Sequence, residues 1–259
     1  MDEGLLTKVL LVVVGALAGI LSGIAATAFK NHLDRKTEVN KAQMAFWLDH
    51  LYPLRVAAGE LRDQIVQIHN KVLAEKDIDE HDLREDYHLR RWFQWSKDHV
   101  VGAKDHLPNE QRRADFAMHS GGVGCEAVST LYVTAYYLFF ATRIRLRTPY
   151  KEGDDELVRC IDDVRRGFSQ LEFYRVTQDS TGVSMKNTAG DVMNYREFGE
   201  AMTDKSERAW FLTLADTYYK LHKQNPEHVQ AVVQRLDGLI SVLDRKLGSR
   251  ETDPSRRVL

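Results

Sequence analysis

The feature that most constrains this chain is a run of 21 residues without a charge, from Val9 to Phe29 (VLLVVVGALAGILSGIAATAF). As an α-helix it would be about 31 Å long, and the hydrocarbon core of a bilayer is about 30 Å thick. A helix on the core of a soluble domain would be shorter or would show a polar face. The run therefore predicts a transmembrane helix over residues 9–29, preceded by a short tail over residues 1–8.

A cleaved signal peptide is the alternative interpretation, because the run ends in an Ala-x-Ala site at Ala28. Signal peptides begin with a basic region and contain an apolar stretch of roughly 7–15 residues. Here Asp2 and Glu3 precede Lys8, and the apolar run is longer. We therefore favour a retained anchor and keep an exported helical domain, released after Ala28, as an alternative.

The basic residues that flank the run predict its orientation. Only Lys8 precedes it, whereas a basic collar follows it, formed by Lys30, Arg35, Lys36 and Lys41. Because positive loops stay in the cytoplasm, we expect a single-pass protein of the plasma (inner) membrane with its N-terminus outside and its C-terminal domain in the cytoplasm. The two cysteines are too few for a disulfide-rich scaffold.

Small residues recur every four positions in the membrane segment, at Gly15, Gly19 and Gly23. This spacing lets helix backbones approach closely in lipid. Since a single-pass protein has no second membrane helix of its own, the pattern predicts a homo-oligomer packed through these glycines. The alternative is that they reflect only the high glycine content of membrane helices in general.

The remainder of the chain carries four apolar seams with helical spacing. The first comprises Leu54, Ala58, Leu61, Ile65, Ile68 and Val72; the second Leu157, Ile161, Val164, Phe168, Leu171 and Tyr174; the third Phe211, Leu214, Tyr218 and Leu221; the fourth Val229, Val232, Leu236, Ile240, Leu243 and Leu247. Helices that cover one another's seams form a bundle. The predicted fold is all-α: a transmembrane helix, a juxtamembrane stalk helix over 30–52, a cytoplasmic bundle over 53–247 and a flexible tail over 248–259.

The stretch from Val128 to Ala141 is apolar on nearly every face. It is too short to cross a bilayer, so we interpret it as the central core helix of the bundle. Arg143, Arg145 and Arg147 follow it, where the helix dipole favours cations. We expect the acidic residues of 152–156 to neutralise these arginines, and we keep a role in binding lipid or nucleic acid as the alternative.

Helical ribonucleases of the HEPN type place an arginine a few residues before a histidine. Three pairs in this chain fit that spacing: Arg62 with His69, and Arg112 and Arg113 with His119. With 22 arginines and ten histidines, chance alone gives about 2.5 such pairs, so the observed number carries no signal. Arg62, His69 and His119 therefore remain candidates for a membrane-tethered ribonuclease, which is an alternative function.

No other pattern predicts a catalytic or cofactor site. A di-iron bundle needs two E-x-x-H motifs, and this chain has one, at Glu85–His88. The glycine-rich loop at 119–125 has no G-K-[ST] and follows no strand, which a nucleotide-binding loop requires. The net charge of −2 differs from the basic excess typical of nucleic-acid binders. We predict no cofactor, no metal and no specific nucleic acid, and we favour a protein that is not an enzyme.

Three runs resemble a pattern in uncharacterised bacterial single-pass membrane proteins with a helical cytoplasmic domain. They are STLYVTAYYLFFATRIR (129–145), FSQLEFYRVTQDSTGVSM (168–185) and YREFGEAM (195–202). The resemblance implies a bacterial origin and one continuous domain, and it carries no catalytic residue. Together these observations predict a membrane-anchored interaction, regulatory or effector protein whose partners are the bilayer, further copies of itself and a protein that the sequence does not identify.

Overall fold

The computed structural model describes residues 37–38, 41, 45–76, 111, 125–147, 155–204 and 209–248. Its contacts divide the chain into two units, residues 1–49 and residues 50–259. The predicted transmembrane helix, its glycines, the tail over 248–259 beyond Gly248 and most of the predicted stalk lie outside the described residues.

The described residues form helices, which confirms the predicted all-α class for this part of the chain. The α-helices are α1 (Tyr52–Lys76), α2 (Cys125–Arg147), α3 (Asp155–Gln170), α4 (Arg175–Ser184), α5 (Tyr195–Thr203), α6 (Ala209–Tyr219) and α7 (Pro226–Gly248). A π-helical turn over Trp47–Leu51 precedes α1, and a 3₁₀ turn over Lys220–Lys223 follows α6. The β-pairing in these residues is a single bridge between Lys186 and Val192.

Helix α1 confirms the first seam from Leu54 to Ile68, and the side chain of Val72 lies outside the described residues. Leu54, Leu61 and Ile68 repeat every seven residues and are almost fully buried, because residues at this spacing return to the same side of a helix after two turns. Pro53 is the second residue of α1 and directly follows the π-helical turn over Trp47–Leu51, which agrees with its having no N–H to continue a regular α-helical ladder.

Helix α2 is the central helix, as its apolar composition predicts. It packs against α1, α4, α5 and α6, and this is why residues on nearly all of its faces are buried, among them Leu131, Ala135, Tyr137 and Phe140. Within the described residues, no helix has both the length and the apolar character needed to cross a bilayer.

The second seam is confirmed except at its last residue. Helix α3 ends at Gln170, and Glu172 adopts a left-handed φ of 66°. The N–H of Phe173 then bonds to the carbonyl of Phe168 at 3.1 Å, a six-to-one closure of the helix end. Because the chain turns here, Phe173 is fully buried and Tyr174 is 62% exposed, so the expectation for Tyr174 was wrong.

Gly182 lies inside α4, where it faces α2. A Cβ atom built at this position would lie 2.7 Å from the carbonyl oxygen of Leu138 on α2. The backbones of α4 and α2 therefore approach each other closely at Gly182. Gly190 occupies a turn, with a left-handed φ of 91°.

The third seam is confirmed, and the fourth is confirmed in part. Phe211, Leu214, Tyr218 and Leu221 are buried, as are Val229, Val232, Leu236 and Leu243. Leu239 and Val242 of α7 are buried as well, whereas Ile240 and Leu247 are only partly buried. Helix α7 packs against α1 and α3. The face that it buries is rotated about the helix axis relative to the predicted face, towards Leu239 and Val242.

Candidate functional site

The structure places only some of the residues that the sequence singled out. Arg62 and His69 lie on α1, and Lys41 of the basic collar is helical and exposed. His119, the three membrane-segment glycines and Lys30, Arg35 and Lys36 lie outside the described residues.

Arg62 and His69 are not joined by a hydrogen bond in the described part of the chain. The guanidinium of Arg62 pairs instead with Asp237 of α7, at 3.0 Å, and with Asp63, at 2.7 Å. His69 follows two helical turns later, about 10 Å further along the axis. The ribonuclease interpretation gains no contact from this arrangement and stays a prediction.

The spacing of Arg62 and His69 belongs to a repeat that the structure makes visible. Arg55, seven residues before Arg62, makes two hydrogen bonds to Asp244, at 2.7 and 3.1 Å. Asp244 in turn follows Asp237 by seven residues. Helices α1 and α7 are therefore antiparallel and are joined by a ladder, whose first two rungs are Arg55–Asp244 and Arg62–Asp237.

The ladder continues to a third position that is built differently. Seven residues beyond Arg62 is His69, and seven residues before Asp237 is Gln230. Both side chains line one groove between α1 and α7, and no ion pair closes it. The remaining lining residues of this groove are Val66, Asn70, Pro226, Val229 and Val233.

The groove has a cavity volume of about 310 Å³, which is at the lower end of the range for ligand pockets. Val229 forms its buried floor, and Val66 is 38% exposed at its side. Burial lowers the pKa of His69 below its ordinary value of 6.5, because desolvation disfavours the charged imidazolium. At neutral pH the groove therefore presents a neutral imidazole beside two carboxamides.

A second polar cluster is buried between α3 and α4, and its centre is Arg165. Only 1% of its side chain is exposed, yet it pairs with Asp179 at 2.8 Å. Its Nε donates to Gln178 at 3.2 Å, and its Nη2 donates to the carbonyl of Arg175 at 3.2 Å. Its Nη1 has no acceptor within the described residues. A buried cation needs such partners, because its transfer out of water carries a desolvation penalty on the order of several kcal/mol.

Gln178 completes this cluster from α4. Its side chain is fully buried, and its Nε2 donates to the carbonyls of Phe173, at 2.6 Å, and Arg165, at 3.0 Å. The carboxamide therefore bonds both the buried guanidinium and the backbone of the turn between α3 and α4. We conclude that the cluster fixes the geometry of this helical hairpin.

Two of the three arginines at the end of the central helix, Arg143 and Arg145, make their contacts within the bundle. Arg145 pairs with Asp162 of α3, at 3.1 Å, and with Asp179 of α4, at 3.4 Å. Arg143 lies over the ring of Phe139 and donates to the carbonyl of Gly190. Of the acidic run at 152–156 that was expected to neutralise them, the structure describes the side chain of Glu156 alone, and Glu156 pairs with Arg245 of α7.

Sequence reasoning missed the groove and the Arg165 cluster for different reasons. The groove had a signal, since Arg55, Arg62 and His69 repeat every seven residues beside a buried seam. Arg165 had no such signal in the sequence, because a charged residue next to the buried seam residue Val164 is expected to face water. No protein-family model, no curated protein and no solved structure matches the chain.

Proposed function

We propose that this chain is a single-pass protein of a bacterial inner membrane whose cytoplasmic helical bundle works by binding. The observation that carries the proposal is the uncharged run over 9–29 with the basic collar Lys30–Lys41 behind it. The length of the run fits a bilayer, and the collar favours a cytoplasmic location for everything that follows. The anchor holds the bundle at the membrane, where the bundle binds its protein partner.

The arrangement of the bundle supports a binding role. Arg55, Arg62, Arg145 and Arg165 all lie between helices and pair with carboxylates of a neighbouring helix. The buried Arg165–Asp179 pair joins α3 and α4, whereas the half-exposed pairs of Arg55 and Arg62 contribute less. Helices that are held in place present a preformed surface, which reduces the ordering cost of association. The groove between α1 and α7 is the concave feature of that surface in the described part of the chain.

Cysteine labelling tests the topology, because the two natural cysteines both follow the anchor. In spheroplasts, a membrane-impermeant maleimide is expected to leave the wild-type protein unlabelled and to label a Thr7→Cys variant. After permeabilisation, Cys125, whose side chain is exposed, should react in the wild type. Labelling of the wild type before permeabilisation would contradict the orientation, and an intact mass that starts after Ala28 would show an exported domain instead.

Gly19→Leu tests the predicted oligomer. The leucine side chain blocks close approach of two helix backbones, so self-association in membranes is expected to weaken. Chemical cross-linking of the full-length protein in native membranes measures the change. Leu17→Ala is the matched control within the same segment. An oligomer that is unchanged by Gly19→Leu would show that the glycines play no part in association.

A further inference from the structure

The groove at the third position of the ladder is lined by three polar side chains, His69, Asn70 and Gln230. The first two rungs are closed by ion pairs, whereas His69, Asn70 and Gln230 make no hydrogen bond or ion pair within the described residues. Three polar side chains thus line one cavity of about 310 Å³, His69 partly buried and Asn70 and Gln230 exposed.

The charge of the lining restricts the ligand. None of the seven lining residues is charged once His69 is neutral, so an ion that enters the groove finds no counter-charge there. The N-terminus of α7 does not provide one either. The N–H of Glu227 is bonded to the side chain of Asn225 at 3.0 Å, that of His228 to the carbonyl of Asn225 at 2.9 Å, and Pro226 has none. The part of the ligand that enters is therefore uncharged.

The shape of the lining restricts the ligand further. Valine side chains come from both helices, Val66 from α1 and Val229 and Val233 from α7, and they provide apolar cover for a small ring. Asn70 and Gln230 also come from opposite helices. A carboxamide carries a donor and an acceptor side by side, and it bonds in two-point fashion to a base that offers the complementary pair. Apolar side chains against the faces of a base complete this mode of recognition.

We propose that the groove between α1 and α7 binds an uncharged nitrogen heterocycle of the nucleobase class. The base lies against Val66, Val229 and Val233, and its edge bonds to the carboxamides of Asn70 and Gln230, with the imidazole of His69 as a further partner. The small volume accommodates one ring system, with any attached sugar outside the groove. This activity does not depend on the anchor or on the orientation proposed above.

Titration of the full-length protein in nanodiscs with adenosine tests the proposal, since adenosine joins a base to an uncharged sugar. We expect saturable binding, measured by calorimetry or by ligand-detected NMR. Gln230→Ala and Asn70→Ala should each weaken it about three- to tenfold, which corresponds to the loss of one or two hydrogen bonds. Val66→Trp should abolish it by filling the groove.

Matched controls lie on the same two helices. Gln234→Ala on α7 and Gln67→Ala on α1 remove exposed carboxamides that do not line the groove, so adenosine binding should be unchanged. The proposal is overturned by an absence of saturable binding of adenosine, guanosine, cytidine and uridine. It is equally overturned if Gln230→Ala and Val66→Trp bind adenosine like the wild type, or if a neutral dipeptide amide binds and the nucleosides do not.

Discussion

Asp179→Ala is expected to lower the free energy of unfolding by about 3 kcal/mol, because it leaves a buried charge without its counter-ion. Arg165 is 1% exposed, and Asp179 is the carboxylate that pairs with it. Removing one partner of a buried ion pair costs about 3–5 kcal/mol. We expect the lower end of that range, since 43% of the Asp179 side chain is exposed and water can partly replace it.

Thermal unfolding of the full-length protein measures this effect. A loss of 3 kcal/mol should lower the Tm by about 6–12 °C in a domain of this size. Asp163→Ala is the matched control, because Asp163 has the same exposure but pairs with the exposed Arg166 on its own helix. Exposed pairs contribute about 0–1 kcal/mol, so its Tm should change little.

A double variant tests whether the unpaired charge of Arg165 causes the loss of stability in Asp179→Ala. In the double variant Arg165→Met with Asp179→Ala, no charge remains in the interior, so we expect it to be more stable than Asp179→Ala alone. Equal losses for Asp179→Ala and Asp163→Ala, or no recovery in the double variant, would mean that the Arg165–Asp179 pair does not stabilise the hairpin.

Gly182→Ala is expected to destabilise the bundle by about 2 kcal/mol through overpacking. The added Cβ would lie 2.7 Å from the carbonyl oxygen of Leu138 and 2.9 Å from its carbonyl carbon. Both are backbone atoms of the central helix, so α4 and α2 must move apart to accept the methyl group. The Tm should fall by about 4–8 °C.

Gly238→Ala is the control that should change stability in the opposite direction. Gly238 lies within α7, and a Cβ built there meets nothing within 4 Å. Because alanine has the better helix propensity, this variant should gain about 0.5–1 kcal/mol. If both glycine substitutions stabilise the protein, the close approach of α4 and α2 at Gly182 is not a constraint on the fold.

Periodicity predicted most of the described fold because burial of an apolar face dominates helix packing. It succeeded for α1, where Leu54, Leu61 and Ile68 are buried as expected. It failed at Tyr174, since a spacing pattern does not report where a helix ends. That end depends on the left-handed conformation of Glu172, and glutamate is a residue type from which this conformation is not expected.

The candidate groove was predictable only in part. Its histidine was noticed for a different reason, as a candidate partner of Arg62 in a ribonuclease motif, which stays a prediction. The contact of Arg62 with Asp237 adds a second feature of the same interval, because Arg62 pairs α1 with α7. Asn70 and Gln230 gave no signal in the sequence, because their significance arises only when residues about 160 positions apart meet across the groove.

The ladder has a consequence for the register of its two helices. The apolar residues of α1 and α7 that meet repeat every seven residues, as Leu54, Leu61 and Ile68 do on one side, so a slip by one heptad would still bring apolar residues together. The charged positions do not repeat in the same way, because the third position holds His69 and Gln230. Sliding α7 so that Arg55 met Asp237 would leave Arg62 opposite Gln230, without a carboxylate on α7, although its contact with Asp63 on α1 would remain. The uncharged third position, which lines the groove, therefore also favours the native alignment of α1 and α7 over an alignment that is shifted by seven residues.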